Sequence, residues 1–273
     1  MADVDTHALS QAAFLVILLV TVLLGYIIRL TGFKYATEGS AALLVGVATG
    51  GVMAAYYWLL DPEHHLPGRL VEFDEAIFFQ TLLPPIIFSA GFSVKKKLFF
   101  RNFITLMLFG VGGTLFMAAV LAAGSQRIMA WGAEQAGNLP YSSDDAQELR
   151  LRDVGVLALQ FLRLFALSTA LGLAVGVASA AVIRWLFRRP SPDREVLVVA
   201  LMGLAAYFLA EGAGLSAILS VFFCGIAMSH YTWHNLSPAA KVITRHGFHV
   251  ISTACEVVLF VYAGLDVWVT AAW

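Results

Sequence analysis

Apolar residues along this chain fall into blocks of about 20, the length needed to cross a bilayer core. They follow neither the 3.6-residue stripe of a soluble helix nor the alternation of a half-buried strand. The blocks lie at 11–30, 38–60, 75–94, 102–124, 155–187, 195–210, 213–230 and 247–273. They predict an all-α polytopic membrane protein with about eight transmembrane helices. The fifth block, taken as one helix, would be about 50 Å long, so its polar start with Gln160 and Arg163 is placed at the interface. The sixth is short and needs tight packing. The polar, turn-rich stretch 125–153 fits no span. It divides one membrane domain, 1–273, into a four-span block at 1–124 and a second at 154–273.

Charge sharpens this picture. Arg29 and Lys34 flank the first loop, Asp61, Glu63, Glu72 and Asp74 fill the second, and Lys95, Lys96, Lys97 and Arg101 fill the third. Cytoplasmic loops hold the excess of Lys and Arg. The loop containing Arg184, Arg188, Arg189 and Arg194, and the one assigned to Lys241 and Arg245, therefore join the triple lysine on the cytoplasmic side. Both termini then face the lumen or exterior. The first block is too long for a signal-peptide core and lacks a small-residue cleavage site, so it is expected to remain as a span.

Composition agrees: 60% of residues are hydrophobic and 13% charged, with mean hydropathy +0.81, against about 25% charged in soluble domains. A net charge of −1 gives no basic field for nucleic acid. Cys224 and Cys255 lie in apolar runs with no metal-ligand spacing, and are read as small core residues. Gly46 with Gly50, and Gly172 with Gly176, form GxxxG pairs that let helices approach closely in lipid. They serve either general helix packing or a dimer face.

Ionisable residues inside spans mark functional candidates, because each costs about 2.5–3.5 kcal/mol on insertion scales. Glu256 is the clearest; it binds a cation or proton, or pairs structurally with a base. Glu211 sits beside Gly212 and Gly214 at the junction of two blocks, where it is either reached by water in the membrane or simply a solvated loop acid. Asp266 is placed at the interface. The adjacent Pro84 and Pro85 remove helix hydrogen bonds in mid-span, which gives either a broken helix of the kind transporters use near the midplane or a packing kink. His230 and His234 have zinc-like i, i+4 spacing but no third ligand, and Tyr231 and Trp233 between them suit an aromatic belt. The sequon Asn235-Leu236-Ser237 falls on the cytoplasmic side and is expected to be unused. No enzyme fingerprint is present, and no cofactor or metal site is expected.

Leu82-Leu83-Pro84-Pro85-Ile86-Ile87-Phe88, then Ala90-Gly91-Phe92, Lys95-Lys96-Lys97 and Phe99-Phe100-Arg101-Asn102-Phe103, form one recognisable block. Asp193-Arg194-Glu195, Leu209-Ala210-Glu211, Val221 to Ile226, Met228 to Asn235, Thr244-Arg245-His246 and Glu256 form another. Together they resemble the monovalent cation/proton antiporters, the Na+/H+ exchangers of the vacuolar plant and algal type, over about three-quarters of the chain.

The resemblance implies a partial cation/proton antiporter fold and a secondary active transporter, not an enzyme. It implies exchange of cytosolic Na+ or K+ for lumenal H+ by alternating access, in a mobile core bundle held against a dimerisation bundle. By the same resemblance Leu82, Leu83, Pro84, Pro85 and Phe88 belong to the amiloride-sensitive region, and Glu211, Arg245 and Glu256 match positions tied to ion handling or core stability. The implied membrane is vacuolar or another endomembrane, with the plasma membrane as alternative. The implied assembly is a homodimer, or a heterodimer with a full-length exchanger.

The chain departs from the family's pattern in one interval. The crossing of two broken helices with its Thr-Asp element, and the Asn-Asp ion-binding pair, would fall between the fourth block and Phe161. The polar stretch occupies that place, and Asp144, Asp145 and Asp153 sit in no apolar run. Two readings remain: an antiporter, or a non-transporting truncated isoform that pairs with a full-length exchanger.

Overall fold

A computed structural model describes residues 2–31, 38–60, 78–114, 116–117, 120–121, 124–125, 127, 151–186 and 191–270. Every regular element among them is helical: α1 (Ala2–Thr31), α2 (Glu38–Leu60), α3 (Phe78–Ser93), α4 (Lys96–Arg101), α5 (Phe103–Gly112), α6 (Leu151–Leu186), α7 (Pro192–Gly212), α8 (Ala217–Ala227) and α9 (Pro238–Thr270). The helices α1, α2, α6, α7 and α9 are long and apolar enough to cross a membrane, and they answer five of the eight expected spans. The third, fourth and seventh blocks coincide with α3, α5 and α8, which are shorter. The acidic second loop and residues 128–150 of the polar stretch lie outside the described residues.

Three boundaries differ from expectation, each because charged residues suit a helix end as well as a loop. α9 begins at Pro238, so Lys241 and Arg245 ride on its first turns and not in a connection. α7 runs 21 residues from Pro192, because Asp193 and Glu195 suit a helix N-terminus. α6 is one helix of 36 residues from Leu151, so the last residues of the polar stretch already belong to it.

The described residues form two compact units. One contains residues 1–90, 187–200 and 236–273; the other contains 91–186 and 201–235.

In the first unit α2 and α9 meet through glycines. A Cβ on Gly46 would collide with the Val261 carbonyl oxygen, and one on Gly264 would come within 2.5 Å of the Leu43 carbonyl oxygen. Backbone contact of this kind gives the dispersion energy that holds helices together where lipid removes the hydrophobic drive. Ala42, Val257, Val261 and Leu265 form the core, flanked by Phe14, Ile17, Leu18 and Phe260. The indole Nε1 of Trp268 donates to the Val47 carbonyl at 2.8 Å.

In the second unit α6 packs on α8 in the same close manner. A Cβ on Gly172 would collide with the Ser220 carbonyl oxygen, and one on Gly176 would lie 2.5 Å from the Ala227 Cβ. Both GxxxG pairs thus serve packing within the chain. Hydroxyls add hydrogen bonds between its helices and turns. The Ser216 N–H donates to Ser168 Oγ at 2.9 Å, and Ser220 Oγ to the Ala206 carbonyl at 3.0 Å. Ser179 Oγ lies 2.6 Å from Thr232 Oγ1.

Helix α8 continues into a π turn at Met228–Thr232 and a last turn at Trp233–Asn235. Wider turns of this type frequently mark functional sites. Two more lie at Phe78–Leu82 and Leu108–Gly112.

Candidate functional site

The leucine-proline segment forms the first half of α3. Leu82 closes the π turn, and Pro84 and Pro85 are the second and third residues of the α-helical part that begins at Leu83. Neither proline has an N–H, so carbonyls one turn earlier lose their α-helical partners. The wider turn at Phe78–Leu82 lies where those bonds are missing. Pro84 is buried. Phe88 is also buried, its ring 4.8 Å from that of Phe248 on α9. The segment and α9 are therefore neighbours within one unit.

Helix α9 carries most of the remaining candidates. Arg245 and Glu256 are 11 residues apart, about three full turns or 16 Å, so they share a face. Both are exposed, and so is His249 between them. Ser252, buried, donates its hydroxyl to Glu256 Oε1 at 3.0 Å. His249 Nδ1 lies 3.3 Å from Thr253 Oγ1. The result is a polar stripe along a helix otherwise apolar enough for lipid, and Phe248 meets α3 beside it. A carboxylate held by one hydroxyl keeps acceptor capacity for a proton or a small cation. Asp266, farther along α9, is half-buried.

Glu211 belongs to the second unit. It is the penultimate residue of α7, exposed, where the helix ends in a left-handed turn. Gly214 has φ +65°, the Leu215 N–H bonds the Ala210 carbonyl at 2.8 Å, and the Gly214 N–H bonds the Glu211 carbonyl at 3.0 Å. Glycine takes this conformation without a Cβ penalty. A carboxylate here sits at the negative end of the helix dipole, an unfavourable place for stability alone.

The histidines of α8's extension do not converge with other ligands. His230 and His234 rings are 6.2 Å apart, and His234 Nδ1 lies 2.6 Å from the His230 carbonyl oxygen. Among the described residues no group of three His, Cys, Asp or Glu could hold a metal. The sequon's Asn235 amide donates to the Ala180 carbonyl at 3.3 Å, and Leu236 is buried, so this segment is engaged in packing.

Two polar residues outside the expected set hold helices in place. Lys96 donates its ammonium to the Ser229 carbonyl inside the π turn, and burial pushes its pKa below the ordinary lysine value. Glu195 is 3% exposed. Its Oε1 accepts the Ser191 N–H at 3.1 Å and its Oε2 the Ser237 N–H at 2.8 Å. A signal for Glu195 was available: Ser191-Pro192 and Ser237-Pro238 are repeated helix starts, and an acid four residues after Ser191 resembles a cap.

Comparison with known proteins decides what such a bundle belongs to. The family model "Sodium/hydrogen exchanger, transmembrane" matches residues 143–272. Sodium/hydrogen exchanger 3 of Arabidopsis thaliana is 37% identical over 316 aligned positions, which take in 97% of this chain and 61% of that protein. The chain belongs to the sodium/hydrogen exchanger family. Sodium/hydrogen exchanger 1 of Oryza sativa subsp. japonica is 36% identical, over 93% of this chain and 55% of the relative. Sodium/hydrogen exchanger 8 of Homo sapiens is 26% identical, over 93% and 52%.

This exchanger-family chain is an integral membrane protein that spans a little over half the length of the curated relatives it matches. The 316 positions aligned with the first relative exceed the 273 residues present here, so at least 43 of them have no residue in this chain.

Proposed function

We propose that this chain exchanges Na+ or K+ for H+ across an endomembrane, the vacuolar membrane first among them, by alternating access to a carboxylate that takes either ion. The observation that carries this reading is the stripe on α9. An exposed carboxylate with one hydroxyl partner, and an arginine on the same face, are retained on a helix of membrane-spanning length and composition. Such groups cost stability there, which makes an ionisable residue inside a span a functional candidate. Glu211 is the second candidate.

The test is reconstitution of the purified chain in liposomes containing a pH dye, with Na+ or K+ added outside. Cation-driven pH change that Glu256→Gln or Glu211→Gln abolishes, with insertion intact, supports the proposal. No pH change from inserted wild-type protein refutes it.

A second reading has its own support. The unmatched positions of the first relative, and the place where the family's Thr-Asp and Asn-Asp elements would fall, favour a non-transporting chain that associates with a full-length exchanger as a heterodimer. Asp144 and Asp145 lie outside the described residues, and Asp153 lies in the first turn of α6. This reading expects silent liposomes together with co-purification of a full-length exchanger. A homodimer that transports excludes it.

A further inference from the structure

Helix α9 is capped at its start by Ser237, whose Oγ accepts the Ala240 N–H at 3.4 Å and whose carbonyl accepts the Lys241 N–H at 3.0 Å. In a capping box, an acid three residues on takes the cap residue's own N–H. Here that position is Ala240, which has no acceptor and is fully buried. The Ser237 N–H goes instead to Glu195 of α7. The other oxygen of the same carboxylate takes the N–H of Ser191, immediately before α7, and the Ser191 carbonyl accepts the Glu195 N–H in return at 3.0 Å. One buried acid thus completes the caps of two helices that both begin Ser-Pro. It lies where both helix dipoles favour negative charge.

We propose that Glu195 is a positioning residue: it ties the start of α9 to the start of α7 and so fixes the level at which Arg245 and Glu256 stand in the membrane. Every group involved lies within the first compact unit. Its consequence for ion handling rests on the exchanger reading, while the tie itself does not. Arg245 comes about two turns after Ser237, so a release at Ser237 passes along a continuous helix to the whole stripe.

The chain carries its own reporters. Cys255 is half-buried beside Glu256, and Cys224 is fully buried in the other unit. The experiment tracks N-ethylmaleimide labelling of each cysteine by mass spectrometry in liposomes, with thermal stability and the cation dependence of flux. Glu195→Ala is expected to change Cys255 labelling several-fold and leave Cys224 unchanged. The double variant Glu195→Ala with Ala239→Asp separates capping from positioning. Ala239 is exposed in the first turn of α9, where an acid restores a favourable charge in cis without the tie to α7.

The double variant is expected to recover thermal stability while Cys255 labelling and the cation KM stay shifted. Recovery of all three to wild-type values overturns the proposal, as does wild-type labelling of Cys255 in folded Glu195→Ala. If Glu195→Ala does not insert, Glu195→Gln, which keeps one acceptor oxygen, decides: a shift of about two- to three-fold supports the tie, and none overturns it. Should wild-type protein give no flux, the exchanger reading fails and the labelling arm still judges the tie.

Discussion

The two units solve helix packing differently. In the first, α2 and α9 touch backbone to backbone through Gly46 and Gly264, and bonds from near helix ends add to this: Trp268 of α9 to the Val47 carbonyl, Glu195 of α7 to the Ser237 N–H. In the second, hydroxyls reach across the middle of the bundle, with Ser168, Ser220, Ser179 and Thr232 all engaged between helices or turns. The difference separates polar groups that hold the fold from polar groups left exposed. The stripe of Arg245, His249 and Glu256 belongs to the unit whose helices pack without it, so altering it should affect ion handling more than folding.

The sharpest way to break the comparison is to block the close approach in each unit. Gly264→Leu and Gly172→Leu force a side chain into a backbone carbonyl, and each is expected to cost about 3 kcal/mol or more. Loss of a monodisperse peak in detergent chromatography checks it. Next in size, Lys96→Met leaves the Ser229 carbonyl without its donor, at a cost of about 1–3 kcal/mol, read as a lower thermal midpoint.

Removing the buried pair separately and together, by Ser179→Ala and Thr232→Val, should give a coupling energy of about 0.6–1.7 kcal/mol. Coupling near zero would deny that hydroxyls stitch the second unit. Smallest in stability is Ser252→Ala, whose hydroxyl holds Glu256. It should lower stability by only about 0.5–1.5 kcal/mol, the net worth of one hydrogen bond, yet shift the cation KM severalfold. The opposite pattern would place Glu256 among the residues that hold the fold.

Much of this was legible in the chain. Among the described residues each of the eight hydropathy blocks meets a helix, five of them long and apolar enough to cross a membrane, because exclusion from water is a property of each stretch alone. The exchanger resemblance was legible too, carried by the leucine-proline block and by the run from Asp193 to Glu256. Charge misled at the edges: Lys241 and Arg245 looked like loop, whereas a long helix can carry such residues on its first turns and still be one helix. Which helices pair was not legible. Gly46 and Gly172 announced close contact but not with whom, since a glycine presents the same absence of side chain to any partner.

Glu195 was hidden for a related reason. Its partners are main-chain N–H groups, one of them 42 residues away, and a backbone donor leaves no mark in the residue letters. The placing of Glu211 and Glu256 in different units likewise depends on packing that chain order does not encode.

The π turn at Met228–Thr232 bears on how chains of this kind vary in length. A turn of this width holds one residue more than the α turn it replaces, as though a single codon had been inserted while both flanks kept their neighbours. Deleting one residue between Met228 and Thr232 would straighten the winding and swing Trp233, His234 and Asn235 by about 100°, pulling the Asn235 amide off Ala180. The anchored Asn235 therefore holds the surplus residue in place, and an insertion or loss at this spot reads as a change of direction, not of reach.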